Sequence, residues 1–186
     1  MDATWIVLGI ILLLVIWVIA LYNALIRTRN TVDESWSDID TELKRRYDLI
    51  PNLVETVKGY AAHEKTTLNA VVEARNKAMA TQGSSPEEQA KNENLLTGTL
   101  RQLFALAESY PNLKANENFL QLQTQLSNTE DRIQTARRFY NANVRDLNNK
   151  IQVVPSSIIA NMFNFKLREF FELEDPAMRQ TPKVQF

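Results

Sequence analysis

The sequence predicts an all-α protein, with an N-terminal transmembrane helix that continues into a cytoplasmic antiparallel bundle of long helices. Three observations carry this expectation. Residues 3–26 are uncharged and almost wholly apolar. The remainder repeats apolar residues every three or four positions, the period of a helix with one buried face. No stretch alternates apolar and polar residues between turn signals, as a half-buried strand would.

Composition narrows the function classes. Lys and Arg number 21 against 22 Asp and Glu, a formal charge of −1. A nucleic-acid binder usually concentrates basic charge, so no nucleic-acid partner is expected. There is no Cys and one His. Disulfides, cysteine nucleophiles, Cys-based zinc sites and two-histidine metal sites within one chain are thereby excluded, and no cofactor is expected. With only 4 Gly among 186 residues, no glycine-rich phosphate loop is expected.

The anchor is taken as residues 1–26. Trp5 to Leu21 reads WIVLGIILLLVIWVIAL, and the uncharged run from Ala3 to Ile26 is 24 residues long. At 1.5 Å per residue such a helix covers about 36 Å, enough for a hydrocarbon core of about 30 Å. Trp5, Trp17 and Tyr22 lie towards its ends, where amphipathic rings favour the membrane interface. A cleavable signal peptide would need a basic start and a shorter apolar core, and Met1-Asp2-Ala3-Thr4 carries no Lys or Arg. Arg27 and Arg29 follow the span directly. The positive-inside rule therefore places the N-terminus outside and residues 27–186 in the cytoplasm.

Residues 27–175 are expected to form the bundle and 176–186 a loose tail. Val32, Trp36, Ile39, Leu43, Tyr47 and Ile50 form one apolar stripe, on a helix that can continue the membrane helix because no Gly or Pro intervenes between Gly9 and Pro51. Pro51 is expected to end or kink it and to open a second helix, over about 51–80. Its inner side carries Leu53, Val57, Tyr60, Ala61, Leu68, Val71 and Val72. Thr81 to Pro86 reads as a loop, and Ser85-Pro86-Glu87-Glu88 as a capping box with Pro at the first helical position. The third helix runs to about Ser109 on Leu96, Leu100, Leu103, Ala107 and Tyr110. Its polar first turns are expected to be solvated. Pro111 breaks the chain. The fourth helix spans about 117–152, with Phe119, Leu122, Leu126, Ile133, Ala136, Tyr140, Val144, Leu147 and Ile151 at coiled-coil-like spacing. Pro155 ends it, and a short amphipathic helix follows over 156–171.

Residues 22–64 read YNALIRTRNTVDESWSDIDTELKRRYDLIPNLVETVKGYAAHE; further on come YPNLKANENFLQLQ, EDRIQTARRFYNANVRDLN and VVPSSIIANMFNFKLREFFE. These long, ordered motifs resemble the LemA family of bacterial membrane proteins, from the anchor to about Asp175. The resemblance implies a single-pass protein of the inner membrane with a cytosolic helical bundle and no enzyme activity. Relatives associated with internal membranes of magnetic bacteria point towards membrane organisation.

Candidate sites are few. Asp40, Lys44, Arg45, Arg46 and Asp48 form the densest charge cluster. They could bind phosphate or anionic lipid. On a straight helix, however, Lys44 lies about 27 Å past Ile26, several Debye lengths of about 8 Å. A salt-bridge network fixing the corner between the first two helices is the preferred reading. His63-Glu64 resembles half of HExxH, but Thr67 stands where the second His would be, so His63 reads as a polar surface or interhelical residue. Glu55, Glu73, Glu130 and Asp131 read as solvated faces or ion-pair partners. Phe139 and Tyr140 beside Arg137 and Arg138 could suggest base stacking, but Tyr140 falls on the apolar stripe. Ser156 and Ser157 have no triad partner at a recognisable spacing.

The expected function is a non-enzymatic scaffold or interaction protein, anchored in the bilayer at the cytoplasmic face of the inner membrane, self-assembling and involved in membrane organisation. The alternative is an accessory subunit of a membrane enzyme complex, such as a protease or transporter, with an unidentified membrane or cytoplasmic protein partner. Self-association is assigned to Ile158, Ile159, Met162, Phe163, Phe165, Phe170 and Phe171. Large apolar surfaces on small domains are often interaction sites, and anchoring raises the effective concentration of subunits. The same strip could fold back as a lid on the bundle. It could also lie on the membrane, although its polar face lacks the Lys and Arg of a surface-seeking helix.

Overall fold

The structure, a computed structural model, describes residues 3–172. Among them are six helices and no strand: α1 (Ala3–Lys58), α2 (Lys65–Ala80), α3 (Pro86–Ala107), α4 (Pro111–Lys114), α5 (Glu117–Gln152) and α6 (Ser156–Met162). The protein is all-α, as its periodicity predicts. The expected tail over 176–186 lies outside the described residues. The chain divides into two compact units. Among the described residues, one holds 3–39 and 135–170, the other 40–134 with Phe171 and Glu172.

In the first unit α1 and the end of α5 pair antiparallel. Lys150 Nζ donates to Thr28 Oγ1 at 2.8 Å, Asn143 Nδ2 to Ser35 Oγ at 3.3 Å, and the Trp36 and Tyr140 rings lie 5.1 Å apart. Leu25, Val32, Ile39, Val144, Leu147 and Ile151 are buried. Arg168 then pairs with Asp33 at 2.6 Å. Tyr140 donates to the Glu169 carbonyl at 2.9 Å, and burial pushes its hydroxyl pKa up to about 12.

In the second unit the later turns of α1 join α2, α3, α4 and the start of α5. Leu43, Ile50, Leu53 and Val57 of α1, Val71 and Ala78 of α2, and Leu96 and Leu103 of α3 are buried, with Leu113, Phe119 and Ile133. Ser85 caps α3, accepting from the Glu88 amide at 3.3 Å with Pro86 behind it, and Asn116 caps α5 by accepting from the Phe119 amide at 2.9 Å.

Tyr60 and Val72, expected on an inner side, are exposed, and the structure corrects the sequence expectations in three further places. First, Pro51 neither ends α1 nor opens a new helix; α1 passes through it to Lys58. A proline inside a helix has no amide to offer the carbonyl four residues back, here Tyr47. Arg75 Nε of α2 donates to that carbonyl at 2.8 Å, which supplies the missing partner. The break falls instead at Gly59. The amides of Tyr60 and Ala61 both turn back to the Val57 carbonyl, at 3.0 and 2.8 Å, so residues 51–80 form the last turns of α1 and a separate α2.

Second, the polar first turns of α3 are solvated on one face only: Glu87, Glu88 and Lys91 are exposed, but Gln89, Ala90 and Glu93 are buried. Third, the terminal amphipathic helix expected over 156–171 stops at Met162. Asn164 adopts the left-handed conformation, with φ of 56°. The Asn164 amide donates to the Asn161 carbonyl at 3.2 Å and the Phe165 amide to the Ala160 carbonyl at 2.9 Å. This is a Schellman closure with Asn in the position glycine usually fills, and residues 165–172 run on without helix.

Candidate functional site

The charge cluster at 40–48 does not act as one group. A turn of 3.6 residues distributes it around α1. Lys44, Arg45 and Asp48 are exposed, Asp40 is half-buried and Arg46 is buried. Arg45 pairs with Glu42 one turn earlier, at 3.0 Å. Arg46 follows Leu43 by three residues and precedes Ile50 by four, so it shares their inward stripe.

Arg46 is the hub of a buried ionic cluster in the second unit. Nη2 pairs with the Glu93 carboxylate, and it also donates to the Glu93 carbonyl at 3.3 Å. Nη1 pairs with Glu130 at 2.6 Å and donates to Thr97 Oγ1 at 3.2 Å. The Tyr47 hydroxyl donates to the second Glu93 oxygen, and Gln134 Nε2 donates to Glu130 at 3.2 Å. The network thus ties α1 to α3 and α5. It does not fix the corner with α2 that the sequence suggests, because no corner forms at Pro51.

Burial raises the Glu93 carboxyl above its ordinary value. Arg46 and the Tyr47 hydrogen bond oppose the rise, and the charge of Glu130 adds to it. Burial and the adjoining Glu93 likewise push the Tyr47 hydroxyl far up. Burial also raises Asp40, against a contact from Gln89 Nε2 at 3.5 Å. One guanidinium shared between two carboxylates suits a structural clamp: its Nη donors are directed at groups already in the protein, and substrate would have to displace them, while Nε is buried without a hydrogen-bond partner.

Beside the clamp, a groove of about 510 Å³ opens between α3 and the start of α5. Leu100, Phe104 and Leu120 form its apolar wall; Thr97, Arg101 and Thr124 are among its polar groups. A volume in that range is typical of ligand and side-chain pockets.

The residues assigned to self-association separate. Ile159 and Phe171 are buried, Phe165 is half-buried, and Ile158, Met162, Phe163 and Phe170 are exposed. Val153, Val154 and Leu167 are exposed as well. Of the expected interface anchors, Trp5, Trp17, Arg27 and Arg29 are exposed, whereas Tyr22 is half-buried with its ring 4.6 Å from that of Phe163. His63 is exposed, and among the described residues no group of three acidic or imidazole side chains is placed to hold a metal.

Sequence reasoning missed Glu93, Gln89 and Arg75. A signal for the first two was present: residues 89, 93, 96, 100, 103 and 107 continue a single stripe of three- and four-residue steps.

The profile of the LemA family matches residues 35–186. The chain is similar to the protein named LemA of Metamycoplasma hominis, 29% identical over 157 residues that cover 82% of this chain and 70% of that protein. It is also similar to the magnetosome proteins MamQ 2 and MamQ 1 of Paramagnetospirillum magneticum. Each is 24% identical over 180 residues, covering 84% of this chain and 66% of theirs, just under two thirds of their length.

Proposed function

The chain belongs to the LemA family, and on that premise we propose that it is a membrane-anchored, non-enzymatic scaffold at the cytoplasmic face of the bacterial inner membrane. It assembles with copies of itself and takes part in membrane organisation. The observation that carries this reading is the continuity of α1. One helix of 56 residues holds an apolar stretch long enough to cross a bilayer and then, without a break, the buried stripe from Val32 to Ile50.

The distribution of Arg27 and Arg29 supports the orientation. The likeness to magnetosome proteins supports a role in membrane organisation. The Arg46 clamp supports a structural use for the densest charges, since its partners are the protein's own helices.

A second reading, an accessory subunit of a membrane protease or transporter complex, is favoured by the open groove between α3 and α5, which has room for a partner's side chains. Purification in mild detergent, followed by size measurement and mass spectrometry, separates the two. A scaffold gives a homo-oligomer, and an accessory subunit brings a stoichiometric partner. A monomer without partner at micromolar concentration refutes both.

A further inference from the structure

We propose that the corner between α5 and α6, with the turn after α6, inserts into the cytoplasmic-side interface of the bilayer, so that its partner is the lipid surface. The proposal rests on the reading of residues 3–26 as a membrane span.

The level of the corner follows from three contacts within the first unit. A hydrocarbon core of about 30 Å takes about 20 helical residues. A core starting at Trp5 would therefore end near Ala24. Trp5 to Trp17 and Ile19 are exposed, Val18, Leu21 and Tyr22 are half-buried, and Leu25 is only 1% exposed, so the cover on α1 begins in the last turns of the core. Phe163 and Phe165 supply part of that cover, with ring centroids 4.6 and 6.1 Å from Tyr22. Lys150 sits against Thr28. Because α5 runs antiparallel to α1, the residues after Lys150 travel towards the apolar end of α1.

At that level the corner presents Val153, Val154, Ile158, Met162 and Phe163, each 50% exposed or more. Ile158 and Met162 are four residues apart and share one face of α6. A cluster of this kind is costly in water but ordinary at the headgroup boundary, where apolar faces enter about 5–10 Å.

The sequence-based objection was the lack of basic residues on this segment's polar face. The structure answers it, because the cations come from neighbouring elements. A groove of about 350 Å³ is bordered by Arg29, Lys166 and Arg168, with Phe163 and Phe165 in its wall. Arg168 is held by Asp33. Arg29 lies 5.8 Å over the Phe165 ring, and both Arg29 and Lys166 are exposed, at the height lipid phosphates would occupy.

The chain has no cysteine, so single-cysteine variants of the full protein can carry one spin label each. Ile158→Cys and Met162→Cys, reconstituted in vesicles of phosphatidylcholine and phosphatidylglycerol, are compared with Leu12→Cys in the span and Gln121→Cys on the exposed surface. Labels at 158 and 162 should collide with a water-soluble nickel complex about tenfold less often than the label at 121, as befits a group below the headgroup boundary, while remaining open to oxygen. Nickel access equal to that at 121 overturns the proposal. Shielding from both nickel and oxygen, with spin–spin broadening between subunits, also overturns it and assigns the surface to a second copy of the chain. Nickel access at position 12 would show separately that the span reading has failed.

Discussion

Arg75 and Pro51 offer a sharp test of how α1 stays continuous. Proline inside a helix costs about 3 kcal/mol relative to alanine, partly because the carbonyl four residues earlier loses its donor. In this protein that carbonyl belongs to Tyr47, and Arg75 Nε donates to it at 2.8 Å. A hydrogen bond from a charged donor contributes about 1.5–3 kcal/mol. Arg75→Met should therefore destabilise the protein by about that amount. Pro51→Ala restores an amide that can reach Tyr47 within the helix, and Pro51 is exposed, so the added freedom creates no cavity. In the Pro51→Ala background the cost of Arg75→Met should fall by at least about 1 kcal/mol, the coupling expected when two groups serve one acceptor. Urea unfolding of the four detergent-solubilised full-length variants, followed by far-ultraviolet circular dichroism, measures it. Strict additivity would refute the idea that Arg75 substitutes for the missing helical bond.

The other expectations concern the clamp and the topology. Arg46→Met strands two carboxylates, one fully buried, and should cost about 3–5 kcal/mol, a melting point lower by about 6–20 °C. A loss below about 1 kcal/mol would show that the clamp is not structural. The folded-state pKa of Glu93 is raised above its ordinary 4.5, so its contribution to stability is full below that value and is lost as pH rises through the raised one. Asp40 is raised too and acts in the same direction. The wild type should accordingly melt lower as pH climbs out of the carboxylate range, and Glu93→Gln should flatten that slope; an unchanged slope in the variant counts against the assignment. In intact cells, Ala142→Cys should resist an impermeant maleimide while Thr4→Cys reacts, and the reverse pattern would invert the orientation.

Most of the fold could be read from spacing alone. The stripes Val32 to Ile50 and Leu96 to Ala107 are buried as their periods predict, apart from the half-buried Trp36, and Glu117–Gln152 is one helix. Where the reading failed, the decisive interaction was distant in sequence. Pro51 carries a local stop signal, and the group that cancels it lies 28 residues away on α2. The short α6 failed for the opposite reason. The apolar arc over 156–171 is compatible with a helix, but Asn164 tolerates the left-handed turn that closes it, and a hydrophobic period does not weigh that local preference.

The clamp was half legible, and the missing half shows how charged residues on a stripe should be read. In sequence Arg46 is one member of a dense charged run, a property of its neighbours along the chain. What decides its fate is its phase: it keeps step with Leu43 and Ile50, as Glu93 keeps step with Leu96 and Leu100. Two opposite charges, each in register with its own helix's buried face, must meet across the interface or remain unpaired in a low dielectric, and the second is too costly to persist. Charge at a stripe position therefore predicts its complement on a facing helix. Lys44 and Asp48, out of phase with the stripe, needed no partner and point to water.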